Sequence, residues 1–154
     1  MQNLNFPLFH FRFDRKRDKE LIFDPVRKKF VNLSPEEWVR QNMLCYLVEI
    51  GEVPLSLIGV EKQLLLNGLK KRFDLVVFDR SGIPVMLIEC KAPSVGIKQE
   101  VFDQAARYNM QLKARYFLIT NGLEHYCCKI DYQKGAYDFI EGIPSYAELL
   151  DLYT

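Results

Sequence analysis

The sequence from Phe73 to Lys91 reads FDLVVFDRSGIPVMLIECK, and its pattern decides the fold of this 154-residue chain. Two apolar runs within it are separated by Ser81-Gly82, a pair that is typical of a tight turn. The stretch therefore predicts an antiparallel hairpin of two strands. A turn of two or four residues sets a register in which Asp74 lies opposite Glu89 at the open end of the hairpin.

Side chains alternate along a strand, so one face of this hairpin is expected to carry both acidic residues. The predicted face consists of Asp74, Val76, Phe78, Val85, Leu87, Glu89 and Lys91, with Phe78 opposite Val85 and Val76 opposite Leu87. Two opposed carboxylates about 5 Å apart repel each other by about 3 kcal/mol at an effective dielectric constant of ~20. A proton, a cationic side chain or a metal ion must compensate that repulsion.

The amine of Lys91 is expected on the same face and would compensate part of this repulsion. A divalent cation would compensate more, because Asp74 and Glu89 offer the oxygen ligands that Mg²⁺ prefers. The alternative is that these acids simply end two apolar strands and reach solvent. The residues alone do not decide between a metal site and two solvent-exposed acids at the open end of the hairpin.

A third strand is expected before the hairpin, from Leu57 to Leu66, because Asn67-Gly68 is among the strongest signals for a two-residue turn. The same register rule would add Glu61 to the acidic row. A bulge in this pair of strands would undo that placement. The alternative for Glu61 is an ion pair with Lys71 or Arg72 on the next strand.

One helix is expected before these three strands in the chain, and another after them. Ser34, Pro35 and Glu37 predict the start of the first, with Ser34 as the N-cap and Glu37 completing a capping box. The second is expected from Lys98 to Lys113. Its apolar stripe is predicted to comprise Val101, Ala105, Tyr108 and Leu112.

The remaining strands follow the second helix. A strand at Tyr116–Thr120 is expected to join the sheet in parallel, because a helix connects it to the strand before. Asn121-Gly122 predicts a turn into another strand from Glu124 to Ile130. A last strand at Tyr137–Ile140 and a short helix capped by Ser145 complete an α/β fold with a mixed sheet.

Residues 1–33 are expected to form an N-terminal hairpin extension that packs on a core domain of residues 34–154. The alternation in Phe9–Phe13 predicts a short strand, and Asp24-Pro25 predicts the turn of a hairpin. Eight basic and four acidic residues lie between Arg12 and Lys29. That run indicates either a solvated loop or a weak contact with nucleic acid, since the net charge of +1 favours no nucleic-acid partner by itself.

The composition excludes several classes of protein. Hydrophobic residues make up 49% and charged residues 27% of the chain, which is ordinary for a folded domain and excludes general disorder. No apolar run approaches the ~20 residues of a membrane span, and the first residues lack the pattern of a secretory signal. The four cysteines have no metal-ligand spacing, so reduced thiols in the cytoplasm are expected.

Asp74, Glu89 and Lys91 resemble the motif of the PD-(D/E)XK nuclease superfamily, although Phe73 replaces the proline that often precedes the aspartate. The predicted elements are similar to its restriction-endonuclease-like core, which consists of a helix, a three-strand antiparallel meander, a helix and a parallel added strand. The resemblance implies an endonuclease that hydrolyses DNA phosphodiester bonds with Mg²⁺, for which Mn²⁺ substitutes.

The same resemblance implies a role for each site residue. Asp74 and Glu89 would hold the metal ion, with the backbone carbonyl of Cys90 as a further ligand. Lys91 would orient or help deprotonate the attacking water and offset charge at the phosphate. Glu61 would be an extra metal ligand or a base that positions the water.

A narrower resemblance comes from Gln104 and Tyr108, a Gln-x-x-x-Tyr element on the predicted second helix. With the stretches at Phe23–Lys29 and Thr120–Glu124, it is similar to the N-terminal nuclease domain of type I restriction enzyme R subunits and to small bacterial proteins grouped with it. The resemblance implies that Gln104 and Tyr108 contact the DNA backbone or support the lysine. Alternatively, Tyr108 lies in the core and Gln104 at its edge.

Partners follow from the same resemblance. The sequence has no Gly-x-x-x-x-Gly-Lys-Ser/Thr motif, so an ATP-driven motor would have to be a separate motor or restriction subunit. DNA is the implied substrate, and a homodimer is implied by analogy with other members of the superfamily. The alternative function is a non-catalytic adaptor that uses the same fold to bind nucleic acid or a partner.

Overall fold

A six-stranded mixed sheet lies at the centre of the protein, and a separate three-stranded sheet precedes it. The computed structural model describes residues 1–66 and 68–150, except for the side chains of residues 66, 69, 108 and 110–112. The strands are β1 (Phe13–Lys16), β2 (Lys19–Asp24), β3 (Lys29–Asn32), β4 (Ile58–Leu66), β5 (Leu69–Phe78), β6 (Pro84–Cys90), β7 (Tyr116–Thr120), β8 (His125–Asp131) and β9 (Ala136–Ile140). The helices are α1 (Pro35–Glu49), α2 (Gln99–Leu112) and α3 (Tyr146–Leu149), with a 3₁₀ turn at Leu55–Leu57. The prediction of a mixed α/β fold is confirmed.

The N-terminal sheet is an antiparallel meander of β1, β2 and β3. The hairpin predicted around Asp24-Pro25 is present as β2 and β3. The strand predicted at Phe9–Phe13 is wrong, because β1 begins only at Phe13. The ring of Phe11 instead packs against the ring of Trp38, with 4.9 Å between their centroids. The turn into β2 uses Arg17 and Asp18, both at positive φ, so it lacks the glycine that would mark it in the sequence.

Helix α1 begins as predicted, because the Ser34 hydroxyl accepts a hydrogen bond from the Glu37 backbone N–H at 3.0 Å. The predicted capping box is incomplete, because the Glu37 carboxylate accepts hydrogen bonds from Arg40 and Gln41 rather than from the Ser34 backbone N–H. The buried side of α1 packs on one face of the central sheet. Its apolar members there are Val39, Met43, Leu44 and Leu47.

The β5–β6 hairpin has the predicted register over its middle, where Val76 lies opposite Leu87. A bulge between Val77 and Phe78 shifts the turn end, so the predicted pairing of Phe78 with Val85 is wrong and Phe78 pairs with Pro84. Consequently Val85 packs on the α1 side of the sheet, in the cluster opposite that of Leu87, which packs on the α2 side. The bulge breaks the single face that strict alternation predicted.

The β4–β5 pair also keeps the predicted register, with Val60 opposite Leu75 and Lys62 opposite Phe73. Asn67, in the predicted Asn67-Gly68 turn, lies outside the described residues. The ladder is interrupted at Glu61, whose φ of 51° is left-handed and incompatible with regular strand pairing. The side-chain alternation of β5 is interrupted next to Glu61 as well. Phe73 and Val76, three positions apart, pack on the same side of the sheet.

Helix α2 follows β6, but its predicted apolar stripe is shifted by one position. Among the side chains of α2 that the structure describes, those of Phe102, Ala106 and Asn109 are buried, while that of Val101 is exposed. The side chains of Tyr108 and Leu112, which the stripe included, lie outside the described residues. Phe102 determines the shift, because its ring packs edge-on against Phe117 of β7, with 5.6 Å between centroids.

Strand β7 joins β6 in parallel as predicted, with Cys90 opposite Thr120. The predicted hairpin at Asn121-Gly122 leads into β8, and β9 completes the sheet. Ser145 and Glu148 form the capping box predicted for α3. Within residues 1–66 and 68–150, no helix has the length and apolar character to cross a membrane.

The division into 1–33 and 34–154 stays a prediction, and residues 151–154 of the second range lie outside the described residues. The structure does show side chains that join the two parts. Arg27, in the turn after β2, forms an ion pair with Glu61 of β4 at 3.2 Å. Arg40 of α1 forms another with Asp24 at 2.8 Å. The N-terminal sheet is therefore tied to the core by charged contacts.

Candidate functional site

Asp74 lies on β5 where the ladder with β6 ends, and its carboxylate is half-buried. Its Oδ2 accepts a hydrogen bond of 2.7 Å from the Cys90 backbone N–H, which fixes the carboxylate against the end of β6. The pKa of Asp74 is raised to about 6, chiefly by burial and also by the charges of Glu36 and Glu89, while the Cys90 N–H and Lys91 lower it. The surroundings of Asp74 therefore disfavour its charged form.

Glu89, the predicted partner of Asp74, is close enough for its charge to raise the pKa of Asp74. Its side chain is only 13% exposed, and its Oε1 lies 3.0 Å from Nζ of Lys71 on β5. The sequence assigned compensation of this acid to Lys91. In the structure an ion pair with Lys71 supplies it, because β5 and β6 bring the two residues together across the hairpin.

Lys91 follows the last residue of β6, and its backbone N–H donates a hydrogen bond of 2.8 Å to the Thr120 carbonyl. The side chain is half-buried, and its positive charge lowers the pKa of Asp74. The structure thus brings Glu89 and Lys91 within electrostatic range of Asp74 at one edge of the central sheet.

Glu36 is a residue that the sequence analysis missed. It lies in the first turn of α1, and its charge raises the pKa of Asp74 more than that of Glu89 does. The sequence offered only an ordinary signal, since acids are common in the first turn of a helix. Nothing in the register of the hairpin could show that this helix begins beside the open end of β5 and β6.

Glu61 makes neither of the ion pairs considered for it from the sequence. Its carboxylate, 46% exposed, accepts a hydrogen bond from Nη1 of Arg27 at 3.2 Å, and Lys71 pairs with Glu89 instead. The left-handed backbone at Glu61 takes it out of the regular strand alternation that would have aligned it with Asp74. Its role in the site stays a prediction.

Gln104 and Tyr108 both belong to α2, as predicted. Gln104 is exposed to solvent. The side chain of Tyr108 lies outside the described residues. Their predicted role in contacting DNA or supporting Lys91 stays a prediction.

Oxygen atoms dominate the ligands that this edge offers to a metal ion. Among the described residues, no group of three or more histidine, cysteine, aspartate or glutamate side chains is placed to hold a metal. Mg²⁺ is commonly held by one or two carboxylates, with water and substrate phosphate completing its shell. Asp74, Glu89 and the Cys90 carbonyl fit that smaller set in number and chemistry.

A second cluster of charges lies at the start of α1 and was not predicted. Asp24, which is 0% exposed, accepts hydrogen bonds of 2.8 Å from both Arg27 Nε and Arg40 Nη2. Arg40, 3% exposed, also binds Glu37. Burial alone would raise the pKa of Asp24, but the two arginines and the Val26 backbone N–H together outweigh it and hold that pKa below its usual value. We call this group, Asp24, Arg27, Glu37 and Arg40, the arginine network.

Comparison with known proteins identifies the family. Residues 35–144 match the family described as type I restriction enzyme R protein N terminus (HSDR_N). A solved structure, the fragment of a putative HsdR subunit of a type I restriction enzyme from Vibrio vulnificus YJ016, is 23% identical, with a TM-score of 0.52. The match covers 77% of this chain and 25% of that one, so the chain spans about a quarter of the length of the fragment and shares its fold. No curated protein matches. The chain belongs to the family of type I restriction enzyme R protein N-terminal domains.

Proposed function

We propose that this domain hydrolyses DNA phosphodiester bonds with Mg²⁺, as an endonuclease on a restriction-endonuclease-like core, in restriction-defence or in repair. The observation that carries the proposal is the state of Asp74. Its carboxylate is fixed by the Cys90 N–H at 2.7 Å, is crowded by Glu36 and Glu89, and has a pKa raised to about 6. Perturbed acids of this kind are typical of functional sites.

Asp74 and Glu89 would hold the ion, with the Cys90 carbonyl as a further ligand and Mn²⁺ as a substitute. The metal would supply Lewis-acid polarisation of the scissile phosphate and a lower pKa for bound water. The fit rests on the oxygen-only donors and on the raised pKa of Asp74, whose charged form its surroundings disfavour despite Lys91. Glu36 adds a third acid near enough to shift the pKa of Asp74.

Lys91 serves as the cation of the site. Its charge already lowers the pKa of Asp74, and its side chain is half-buried. There the side chain would orient the attacking water and offset negative charge on the phosphate. Gln104 and Tyr108 would contact the DNA backbone or support Lys91.

The family places the domain in the context of restriction enzymes, whose R subunits work with other subunits. A separate motor or restriction subunit is therefore a proposed partner, and a homodimer is the proposed form on duplex DNA. We place this activity in the cytoplasm, where the free thiols Cys45, Cys90, Cys127 and Cys128 would stay reduced.

Cleavage of plasmid DNA tests the proposal. The purified protein should nick or cut it with Mg²⁺ or Mn²⁺, and Asp74→Ala, Glu89→Ala and Lys91→Ala should each abolish that activity. Asp14→Ala, which removes an exposed acid on β1, is the matched control and should keep it. Cleavage by all three site variants at the wild-type rate would indicate a contaminating nuclease and overturn the proposal.

One observation favours the alternative of a non-catalytic adaptor. Lys71 already neutralises Glu89 at 3.0 Å, so part of the acidic pair is compensated without a metal. Calorimetric titration of Mn²⁺ distinguishes the two functions. The nuclease should bind Mn²⁺, and Asp74→Asn should weaken binding. No binding of Mn²⁺, with or without DNA, would favour the adaptor.

A further inference from the structure

A surface cavity of about 340 Å³ lies between the start of α2 and the strands β8 and β9. It belongs to none of the groups described so far. Its aromatic lining comes from Phe102, Tyr126 and Phe139, and Lys98 and Gln99 line it at the start of α2. The volume falls within the range of sites that bind small organic groups.

The cavity lies on the same edge of the sheet as the candidate nuclease site. In the register of the three neighbouring strands, Cys90 lies opposite Thr120, and Thr120 lies opposite His125, which lines the cavity. Neighbouring strands are about 4.8 Å apart, so Cys90 and His125 are separated by roughly 10 Å. A stacked DNA strand covers that distance in about three nucleotides.

The cavity and Glu89 also lie on the same side of the sheet. Glu89 is two residues from Leu87, so the two side chains point the same way along β6. Leu87 packs in the cluster that contains Phe102 of the cavity. The segment from Lys91 to Lys98 connects the two places directly, since it leaves the site and ends in the cavity wall.

The walls are held in place by contacts that do not use the cavity itself. The Asn121 side-chain amide donates a hydrogen bond of 2.8 Å to the Val95 carbonyl, which fastens the connecting segment to the β7–β8 turn. His125 contacts Thr120 Oγ1 at 2.6 Å and the Asn5 carbonyl at 2.8 Å. The cavity is therefore a preformed feature of the fold.

One aromatic ring in the cavity is available to a ligand. Phe139 is 49% exposed although it packs on Phe102, with 4.7 Å between ring centroids. The ring of Tyr126 stands nearly perpendicular to it, with centroids 6.4 Å apart. An exposed ring backed by a buried one offers a flat face for stacking, and Lys98 supplies a positive charge beside it.

We propose that this cavity binds one unstacked nucleobase of the DNA strand, so that the domain prefers DNA with an unpaired nucleotide next to the bond that it cleaves. This inference rests on the proposed nuclease function for its substrate. The base stacks on Phe139 and lies against Tyr126, while Lys98 neutralises the neighbouring phosphate. Stacking on aromatic side chains accepts any base, because each base has a π-face.

Binding of three short duplexes tests the proposal, measured by fluorescence anisotropy in EDTA so that no strand is cut. One duplex is fully paired, one contains a single bulged thymidine, and one has an abasic residue at the bulge. The full chain should bind the thymidine bulge about tenfold more tightly than the other two. Equal affinities for all three duplexes, or no binding to any, would overturn the inference.

Variants of Phe139 separate stacking from folding. Phe139→Leu keeps an apolar contact with Phe102 but loses the π-face, so it should lose the preference, whereas Phe139→Trp should keep it. Phe13→Leu, an exposed phenylalanine on β1, is the matched control and should keep it too. Retention of the full preference by Phe139→Leu would contradict the assigned cavity.

The nuclease assay is independent of this measurement. Asp74-dependent cleavage without any preference for the bulge would retain the proposed function and reject the inference. Preference for the bulge in a protein that does not cleave would support the cavity and reject the nuclease. An equal response of thymidine and abasic bulges would show recognition of bent DNA and overturn base binding.

Discussion

Asp24 and Asp74 are two aspartates on strands beside α1, and the structure treats them in opposite ways. Asp24 accepts hydrogen bonds from two arginine side chains and from the backbone N–H groups of Val26 and Arg27. Asp74 accepts one from Cys90 and faces the charges of other acids. The pKa of Asp24 is therefore lowered, and that of Asp74 is raised to about 6.

The difference shows which acid serves the fold and which is available for chemistry. A buried carboxylate with a full set of donors stabilises the folded state in its charged form. A half-buried carboxylate with too few donors destabilises the folded state when charged, and it gains from a proton or a cation. Asp24 thus joins the N-terminal sheet to the core, whereas Asp74 is poised to bind a ligand.

The largest expected effect comes from breaking the arginine network. Arg40→Met should lower the free energy of unfolding by about 3–5 kcal/mol, because it leaves the buried carboxylate of Asp24 with one fewer cation. Urea denaturation followed by circular dichroism measures the loss. Arg15→Met, an exposed arginine on β1, should change stability by only about 0.5 kcal/mol. A similar small change for Arg40→Met would show that the network contributes little.

The next test exchanges each acid for its neutral amide. Asp74→Asn should raise the free energy of unfolding at pH 7 by roughly 1–3 kcal/mol, because the folded state then no longer carries a charge that it disfavours. Asp24→Asn should lower it. Two changes of the same sign at pH 7 would remove the contrast between the two acids.

Asp74 and Asp24 are expected to make the stability of the folded protein depend on pH in opposite directions. With a folded pKa raised to about 6, Asp74 favours the folded state below its unfolded pKa of about 4, and this contribution is lost as the pH rises toward 6. With a lowered folded pKa, Asp24 stabilises the protein above pH ~4 and loses that effect as the pH falls. Stability curves from pH 3 to 8 measure both.

A divalent cation should stabilise the protein through Asp74 and not through Asp24. Mn²⁺ at ten to a hundred times its dissociation constant should stabilise the protein by about 1–3 kcal/mol, since it binds the folded site. Asp24→Asn should keep the gain relative to its own baseline, and Asp74→Asn should lose it. Thermal melts with and without Mn²⁺ measure the shift. An equal gain in both variants would place the ion elsewhere.

The smallest effect is expected for Glu61, which pairs with Arg27 at the protein surface. Glu61→Gln should change the free energy of unfolding by at most about 1 kcal/mol, because the acid is 46% exposed. Plasmid cleavage should stay at the wild-type rate. A loss of cleavage comparable with that of Glu89→Ala would return Glu61 to the site as a ligand or base.

Much of the candidate site could be predicted because hairpin register is a local property. The order of apolar runs and turns set Val76 opposite Leu87 and brought Asp74 to the end of β6. The errors came where one residue left the regular pattern. Examples are the bulge at Phe78 and the left-handed backbone at Glu61, neither of which has a clear sequence signal.

The partners of the charges could not be predicted in this way. Lys71 compensates Glu89, Glu36 raises the pKa of Asp74, and Arg40 binds Asp24 from a separate element. The contacts of Glu36 and Arg40 depend on where α1 and the N-terminal sheet pack, whereas the ion pair of Lys71 depends on how the side chains of β5 and β6 lie across the hairpin. The one-position shift of the α2 stripe also comes from tertiary packing, because Phe102 packs against aromatic residues of β7 and β9.

The sequence by itself determined the order of strands and helices from β2 onward, the hairpin registers away from bulges, and the presence of Asp74, Glu89 and Lys91 at one sheet edge. Those features depend on alternation and turn residues, which act over a few positions. The tertiary structure alone decided which acid is neutralised, which stays poised, and where an aromatic cavity opens. Electrostatic compensation and packing depend on distances between segments far apart in the chain, and those distances exist only once the chain has folded.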